Sequence, residues 1–405
     1  MTFVLSRRGA LLGLTASFSL GRASLALAAA PGEKRFVVII LRGAMDGLSA
    51  VVPYGDPALA SLRGKLLPPG PGETGGLLDL GGFFGLHPAM PNTHAMYQTN
   101  EVVILHAVAG AYRSRSHFEA QDYLESGANS RMTTGWLNRV VGSLPTAHGP
   151  VDEALAVGVA VPLLLRGPAP VGSWAPTSFA APSPELYARI AALHRPDPIT
   201  GPAIAAGLRE RGFADGMGDT APNAKGLGDP AASGNARYAF PALAAKAGRM
   251  LARPDGPRIA AMEIGGWDTH AAQTARLAFP LRQLDAGLAA LKDALGSAWS
   301  QTAVLVMTEF GRTVRANGTK GTDHGTGTVA FALGGAIAGG RVLGTWPGLG
   351  PGRLLDDRDL APTTDLRSVA KGLLAGHLGL NSIALVKVFP GSEAALPIAG
   401  LVRRA

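Results

Sequence analysis

Four runs of apolar residues stand out from an otherwise turn-rich chain: Arg35–Leu41 (RFVVIIL), Glu101–Val108 (EVVILHAV), Arg258–Ile264 (RIAAMEI) and the stretch from Val304 that stops at Glu309. Each is continuous rather than alternating, the pattern of a strand buried on both faces of a parallel sheet. Val329–Leu333 and Arg341–Leu343 predict shorter strands around a glycine-rich turn, and Val151–Leu165 predicts one or two more. Leu281, Leu284, Leu288, Leu291 and Leu295 recur at helical spacing behind Pro280, so an amphipathic helix with a core-facing leucine stripe is expected there. Ser116 and Glu119 have the spacing of a capping box, opening a helix through Leu124. A final helix is expected from Asp359–Leu366 to about Leu378, capped by Thr363 or Thr364 and with His377 on its surface. Leu186–Leu193 predicts a short helix, whereas 55–76 and 199–235 lack periodicity and are rich in Gly, Pro, Ala and Asp. Strands alternating with helices make this an α/β chain. The irregular region, about 150–237, is expected to be a cap or insertion on a single domain spanning 29–405.

Composition narrows the function classes. Of 405 residues 47% are hydrophobic and only 16% charged, too apolar for a disordered protein; 55 Gly and 30 Pro interrupt it too often for a helical bundle. The net charge is +8, but there is no Lys/Arg stripe interleaved with aromatics, which argues against a nucleic-acid partner. Cysteine is absent, so any metal must be held by His, Asp, Glu or hydroxyl groups. The chain opens with Ser6-Arg7-Arg8-Gly9-Ala10-Leu11-Leu12, an apolar stretch to about Leu20, and Ala26-Leu27-Ala28. That order predicts a twin-arginine export signal over residues 1–28, cleaved after Ala28. The apolar stretch is short of the ~20 residues that span a bilayer, so the membrane is expected as a partner only during export through the twin-arginine translocase. The product would be periplasmic or secreted.

Candidate chemistry collects where the strands stop. The first strand runs into Arg42-Gly43-Ala44-Met45-Asp46-Gly47, and the third into Gly265-Gly266-Trp267-Asp268-Thr269-His270. The fourth ends on Glu309, followed by Arg312 and then by Asp323-His324 between Gly321 and Gly325. After the second strand, Ser116 and His117 follow Arg113 and Arg115 at a helix N-terminus, where positive potential favours an anionic ester. Carboxylates and imidazoles delivered to the carboxyl edge of an α/β sheet suit a hard or borderline divalent cation.

The segments LRGAMDGLS, FFGLHP, RSRSHFEAQDYLESG, GGWDTH, TEFGRT, GTDHGTGT and DLAPTTDLR, behind a twin-arginine leader, together resemble the bacterial DUF1501 family over nearly the whole mature chain. The resemblance implies the alkaline phosphatase-like and sulfatase-like fold: a three-layer sandwich with a mostly parallel central sheet and helices on both faces. It implies an exported, metal-dependent hydrolase of phosphate or sulfate esters. Asp46 would be the first carboxylate, Ser116 (or Ser114) the nucleophile, Asp268 and His270 the later pair, Glu309 a strand-end carboxylate and His324 the last histidine. Phe310 stands where such enzymes carry a histidine, so His117 or Asp323 would have to substitute. One or two divalent cations are expected, Zn²⁺ or Mn²⁺ ahead of Ca²⁺ or Mg²⁺, with Arg113, Arg115 or Arg312 neutralising an anionic ester substrate. The competing expectation is a non-catalytic periplasmic binding or assembly protein on the same scaffold.

Overall fold

The computed structural model describes residues 34–144, 153–158, 160–175, 189, 191–196, 204–205 and 239–403. The leader and most of the expected cap, with most of the Leu186–Leu193 helix, lie outside the described residues. The main sheet contains β1 (Arg35–Leu41), β2 (Val102–Ala109), β3 (Ala154–Val157), β4 (Gly172–Trp174), β5 (Ile259–Ile264), β6 (Thr302–Thr308), β7 (Thr328–Leu333), β8 (Arg341–Leu343) and β9 (Thr364–Asp365). Its spatial order is β8-β2-β7-β6-β1-β5-β3-β4, with β9 also paired to β2. Every neighbouring pair is parallel except those of β7 with β2 and β6, so β7 alone runs against the rest.

The continuous apolar runs are explained by what lies on each face. Val37, Ile39 and Leu41 pack with Phe240, Ala244 and Leu251 of α4 (Ala239–Ala252) and with the Leu281, Leu284, Leu288 and Leu291 stripe of α5 (Gln273–Leu295). The intervening Phe36, Val38 and Ile40 face Trp136 and Leu137 of α3 (Trp136–Val141), Val369 and Leu373 of α6 (Leu366–Leu373), and Leu385 and Val388 of α7 (Ser382–Val388). Side chains of alternate sign along one strand thus enter two separate cores. The result is the three-layer α/β arrangement expected from the sequence, a mostly parallel sheet covered by helices on both faces. Among the described residues no helix is long and apolar enough to cross a membrane.

Three local expectations are corrected. Helix α5 begins at Gln273 and carries Pro280 inside it rather than before it. Its first turn is docked instead by backbone bonds from Ala272 and Gln273 N–H to the Thr319 and Lys320 carbonyls (3.0 and 2.8 Å). Helix α6 is capped by Asp365, which accepts from Arg367 N–H, not by a threonine; it passes into a π-turn ending at Leu378, and α7 follows it. His377 is buried, not on the surface: its Nε2 lies 2.9 Å from the Arg35 carbonyl, and burial pushes its pKa down to about 4.

Candidate metal centre

Because β1, β5 and β6 are parallel and in register, they stop level with one another: Leu41 pairs with both Ile264 and Thr308. Their exits therefore deliver Gly43, Asp268 and Glu309 to one edge. β7 reaches that edge with its N-terminal end, so the residues just before it, Asp323 and His324, arrive there too. Helix α2 (His117–Ser126), following β2, brings His117 as its first residue. Glycines allow the loops to close on each other. Gly43 has φ +117°, and a Cβ there would lie 2.8 Å from the Asp268 nitrogen. A Cβ on Gly321 would lie 2.3 Å from the His270 carbonyl carbon, so the loop carrying Asp323 and His324 can lie directly on the loop carrying His270.

Three imidazoles and one carboxylate converge there. His324 Nε2 is 3.0 Å from His117 Nε2 and 3.0 Å from His270 Nε2. Asp268 Oδ1 is 3.0 Å from His270 Nε2 and 3.5 Å from His324 Nε2, and Asp268 Oδ2 is 3.8 Å from His117 Nε2. One donor atom each from His117, Asp268 and His324 lies within 4.8 Å of the other two. The opposite nitrogen of every ring faces an obligate acceptor: His117 Nδ1 meets Glu309 Oε1 at 2.8 Å, His270 Nδ1 meets Asp323 Oδ1 at 3.0 Å, and His324 Nδ1 meets the Arg115 carbonyl at 2.9 Å. In a neutral ring the proton then sits on Nδ1, and the Nε2 atoms of His117 and His270 each present a lone pair to Nε2 of His324. Lone pairs opposed at this distance repel unless a cation lies between them. Nitrogen ligands about 2.05 Å from a tetrahedral Zn²⁺ are ~3.3 Å apart, close to the two separations that His324 makes; His270 stands outside the His117–Asp268–His324 group and reaches it through His324 and Asp268. Carboxylate or carbonyl partners on the outer ring nitrogen are the usual support of a metal-binding histidine.

The supports are themselves fixed. Glu309 is 3% exposed; burial would raise its pKa, but hydrogen bonds from His117, the Gly43 N–H (2.9 Å) and Thr308 hold it below the usual carboxylate range. It sits beneath His117 rather than among the converging atoms. Asp323 is held low first by His270, and Asn317 Nδ2 donates to it at 3.1 Å. Arg312 donates Nη1 to Asp268 at 2.7 Å and keeps that carboxyl ionised against the cost of burial. Desolvation pushes the His324 pKa down, as do the nearby His117 and Arg312. Phe310 is 4% exposed and stacks obliquely on both His117 and His324, with ring centroids 4.9 and 5.1 Å away. The residue in the expected histidine position is an apolar wall packed against two other histidines, and His117 stands among the converging atoms.

The structure leaves some expected site residues apart. Asp46, the N-cap of a short turn, α1 (Gly47–Ala50), is 0% exposed and ion-paired with Arg63. Its carboxylate also accepts from Ser49 Oγ (2.8 Å), Leu48 N–H and Gln273 Nε2, so a guanidinium already neutralises it and burial is more than offset. Arg63, seventeen positions downstream in a glycine- and proline-rich region, carried no sequence signal for this pairing. The Arg312 side chain is fully buried, which makes it a partner of Asp268 rather than a group that reaches a substrate. Arg115 pairs with the buried Asp359 at 2.8 Å and with Asp356 at 3.2 Å; it has φ +63°, and its carbonyl holds His324. Arg113 is exposed and donates to the Tyr112 carbonyl at 2.9 Å. The capping box is also corrected: Ser116 is the N-cap of α2, but its side chain makes no capping bond, and the reciprocal Glu119 carboxylate accepts from the Tyr112 hydroxyl instead.

A family profile described as "Protein of unknown function (DUF1501)" matches residues 111–388, more than half of the chain. The chain belongs to that family. No curated protein matches. Among solved structures, Ps i-CgsB in complex with k-i-k-neocarrahexaose overlaps at 9% identity and a TM-score of 0.42, covering 90% of this chain and 77% of that one. The phosphonate monoester hydrolase of Agrobacterium radiobacter overlaps at 12% identity and a TM-score of 0.42, covering 86% and 74% respectively.

Proposed function

We propose that this protein is an exported, metal-dependent hydrolase of phosphate or sulfate esters, built around one divalent cation. The observation that carries the reading is the convergence of His117, His270 and His324 Nε2 beside Asp268, each ring tied at Nδ1 to an acceptor. Three imidazoles and one carboxylate favour Zn²⁺, then Mn²⁺, over the all-oxygen shells of Ca²⁺ and Mg²⁺. A single ion is favoured over two because Asp46 is neutralised by Arg63 and Glu309 is spent on His117, Gly43 and Gln121. When bound, the cation would lower the pKa of a hydroxyl or water and stabilise charge on the ester oxygens. The chain's own groups do the rest. Glu309, Asp323 and the Arg115 carbonyl hold the protons at the histidine Nδ1 positions, and Arg312 holds Asp268 as a carboxylate. Ser116, next to His117 at a helix N-terminus and free of a capping bond, is the proposed nucleophile ahead of Ser114. Arg113, exposed and with its guanidinium on the Gly110 and Tyr112 carbonyls, is the remaining proposed partner of an anionic substrate.

A second reading, a non-catalytic binding or assembly protein, is favoured by the same loss of Asp46 from the ligand set. Elemental analysis of purified wild type and of a His117→Ala/His324→Ala variant separates these. About one equivalent of metal in the first and little in the second supports the centre; equally low metal in both contradicts it. Turnover of phosphomonoesters, phosphodiesters or sulfate esters that vanishes in Ser116→Ala supports the enzyme, whereas bound metal without turnover supports the second reading. Export through the twin-arginine pathway is tested by fractionating cells that carry Arg7→Lys/Arg8→Lys, in which the chain should stay in the cytoplasm.

A further inference from the structure

Beneath the converging histidines lies a second polar cluster that contributes no atom to them. Asp46, Ser49, Arg63, Thr269, Gln273, Thr322 and Arg312 are each no more than 3% exposed. The two charges at its ends fix the direction of every hydrogen bond between them. Asp46 is ion-paired to Arg63 and can only accept, so the amide group of Gln273 facing it must be the nitrogen. Gln273 Nε2 donates there and lies 3.0 Å from Ser49 Oγ. Gln273 Oε1 must then face the other way, where both threonine hydroxyls donate to it, Thr269 at 3.0 Å and Thr322 at 2.6 Å. Thr322 has a lone pair left for Arg312 Nε at 3.3 Å, and Arg312 Nη1 ends the chain on Asp268.

We infer that Gln273 is the positioning residue of the candidate metal centre, acting through Thr269 and Thr322; this rests on the metal reading given above. Thr269 lies between Asp268 and His270, and Thr322 lies two residues before His324. One carboxamide oxygen therefore clamps together the two loops whose histidines must meet. Only a side chain offering two donor hydrogens and an acceptor that takes two bonds, at this length, satisfies Asp46, Ser49 and both threonines. Glutamate lacks the donors and would put a second negative charge against Asp46; asparagine is a methylene short. Backbone bonds from Ala272 and Gln273 to Thr319 and Lys320 hold the same two segments from outside, so removal of the carboxamide would loosen the loops without releasing them.

The test is Co²⁺ and Zn²⁺ affinity of the full chain carrying Gln273→Met, Thr322→Val, or both, with near-ultraviolet circular dichroism and Tm as controls on folding. Gln273→Met is expected to weaken metal binding ~10–100-fold, the usual effect of removing an outer-shell partner. Thr322→Val should weaken it less, and the double variant should be no worse than Gln273→Met alone, because both remove the same linkage. Wild-type affinity in Gln273→Met, or additive losses in the double variant, would overturn the assignment. If Gln273→Met does not fold, Thr322→Val reads the same linkage. If the wild type binds no metal, the metal reading fails separately. Imidazole NMR signals of His270 and His324 then decide: shifts in both variants support the clamp, and unchanged signals refute it.

Discussion

The two polar clusters at the carboxyl edge of the sheet differ in how their facing atoms are matched: donors meet acceptors in the lower one, and acceptors meet acceptors in the upper. In the lower one, Asp46 meets Arg63, and Gln273 closes the gap to Arg312 with all of its own amide hydrogens and lone pairs assigned, leaving Arg63 Nε and Arg312 Nη2 as the buried atoms without a partner. In the upper one, the Nε2 atoms of His117 and His270 both face Nε2 of His324 beside Asp268, whose side chain is 47% exposed. A buried network in which donors meet acceptors rigidifies a structure. A cluster of facing acceptors, each held from behind by a donor or acceptor of its own, is where a cation is expected.

Breaking the lower cluster should show up first as lost stability. Arg63→Met leaves the Asp46 carboxylate buried and unpaired and is expected to cost ~3–5 kcal/mol in denaturant unfolding, the range for removing one partner of a buried ion pair. A loss under about 1 kcal/mol would mean the pair is not what closes that cluster. Acid should act on other groups. His106 and His377 are buried, and burial pushes each pKa down to about 4. Between about pH 6.5 and 4 the unfolded chain takes up protons that these folded imidazoles refuse. Stability from this source is therefore complete above about pH 6.5 and falls as the pH drops, by about 3 kcal/mol for each histidine at pH 4. In His377→Gln the slope of stability against pH over that window should be shallower by close to one proton, measured by urea unfolding.

The upper cluster should instead respond to ligand. Zn²⁺ at 100 times its Kd should raise unfolding stability by about 2.7 kcal/mol, and His324→Ala should remove that increment. Glu309→Gln, which keeps the shape but weakens the hold on the His117 Nδ1 proton, should lower metal affinity ~10–100-fold and leave Tm nearly unchanged. The reverse outcome, a large Tm loss with unaltered affinity, would make Glu309 a structural carboxylate like Asp46.

How much of this was legible in the sequence follows from which interactions are local. Runs such as Phe36–Leu41 and Val304–Thr308 announce strands buried on both faces, because each residue must enter an apolar layer whichever way it points. Parallel strands that end level account for Asp268 and Glu309 reaching one edge, and glycines on either side of Asp323-His324 fit loops that touch. Asp46 looked equivalent to these because it too follows a strand. What separates it is Arg63, and a pairing made across tertiary space leaves no periodicity behind. The same holds for Ser116 and Glu119, whose capping-box spacing is correct but whose carboxylate is claimed by Tyr112. Gln273 carried no local signal at all, since its role depends on two loops distant in sequence from Asp46. Phe310 is the instructive case: its place in the pattern marked a missing ligand, and its ring packs against two histidines.

The most direct test of the central claim is a crystal of the protein soaked in Zn²⁺ and measured at the zinc absorption edge. The expected result is one anomalous peak about 2.0–2.2 Å from Nε2 of His117, His270 and His324 and from an oxygen of Asp268. No peak there, or a peak on Asp46 with Arg63 displaced, would contradict it.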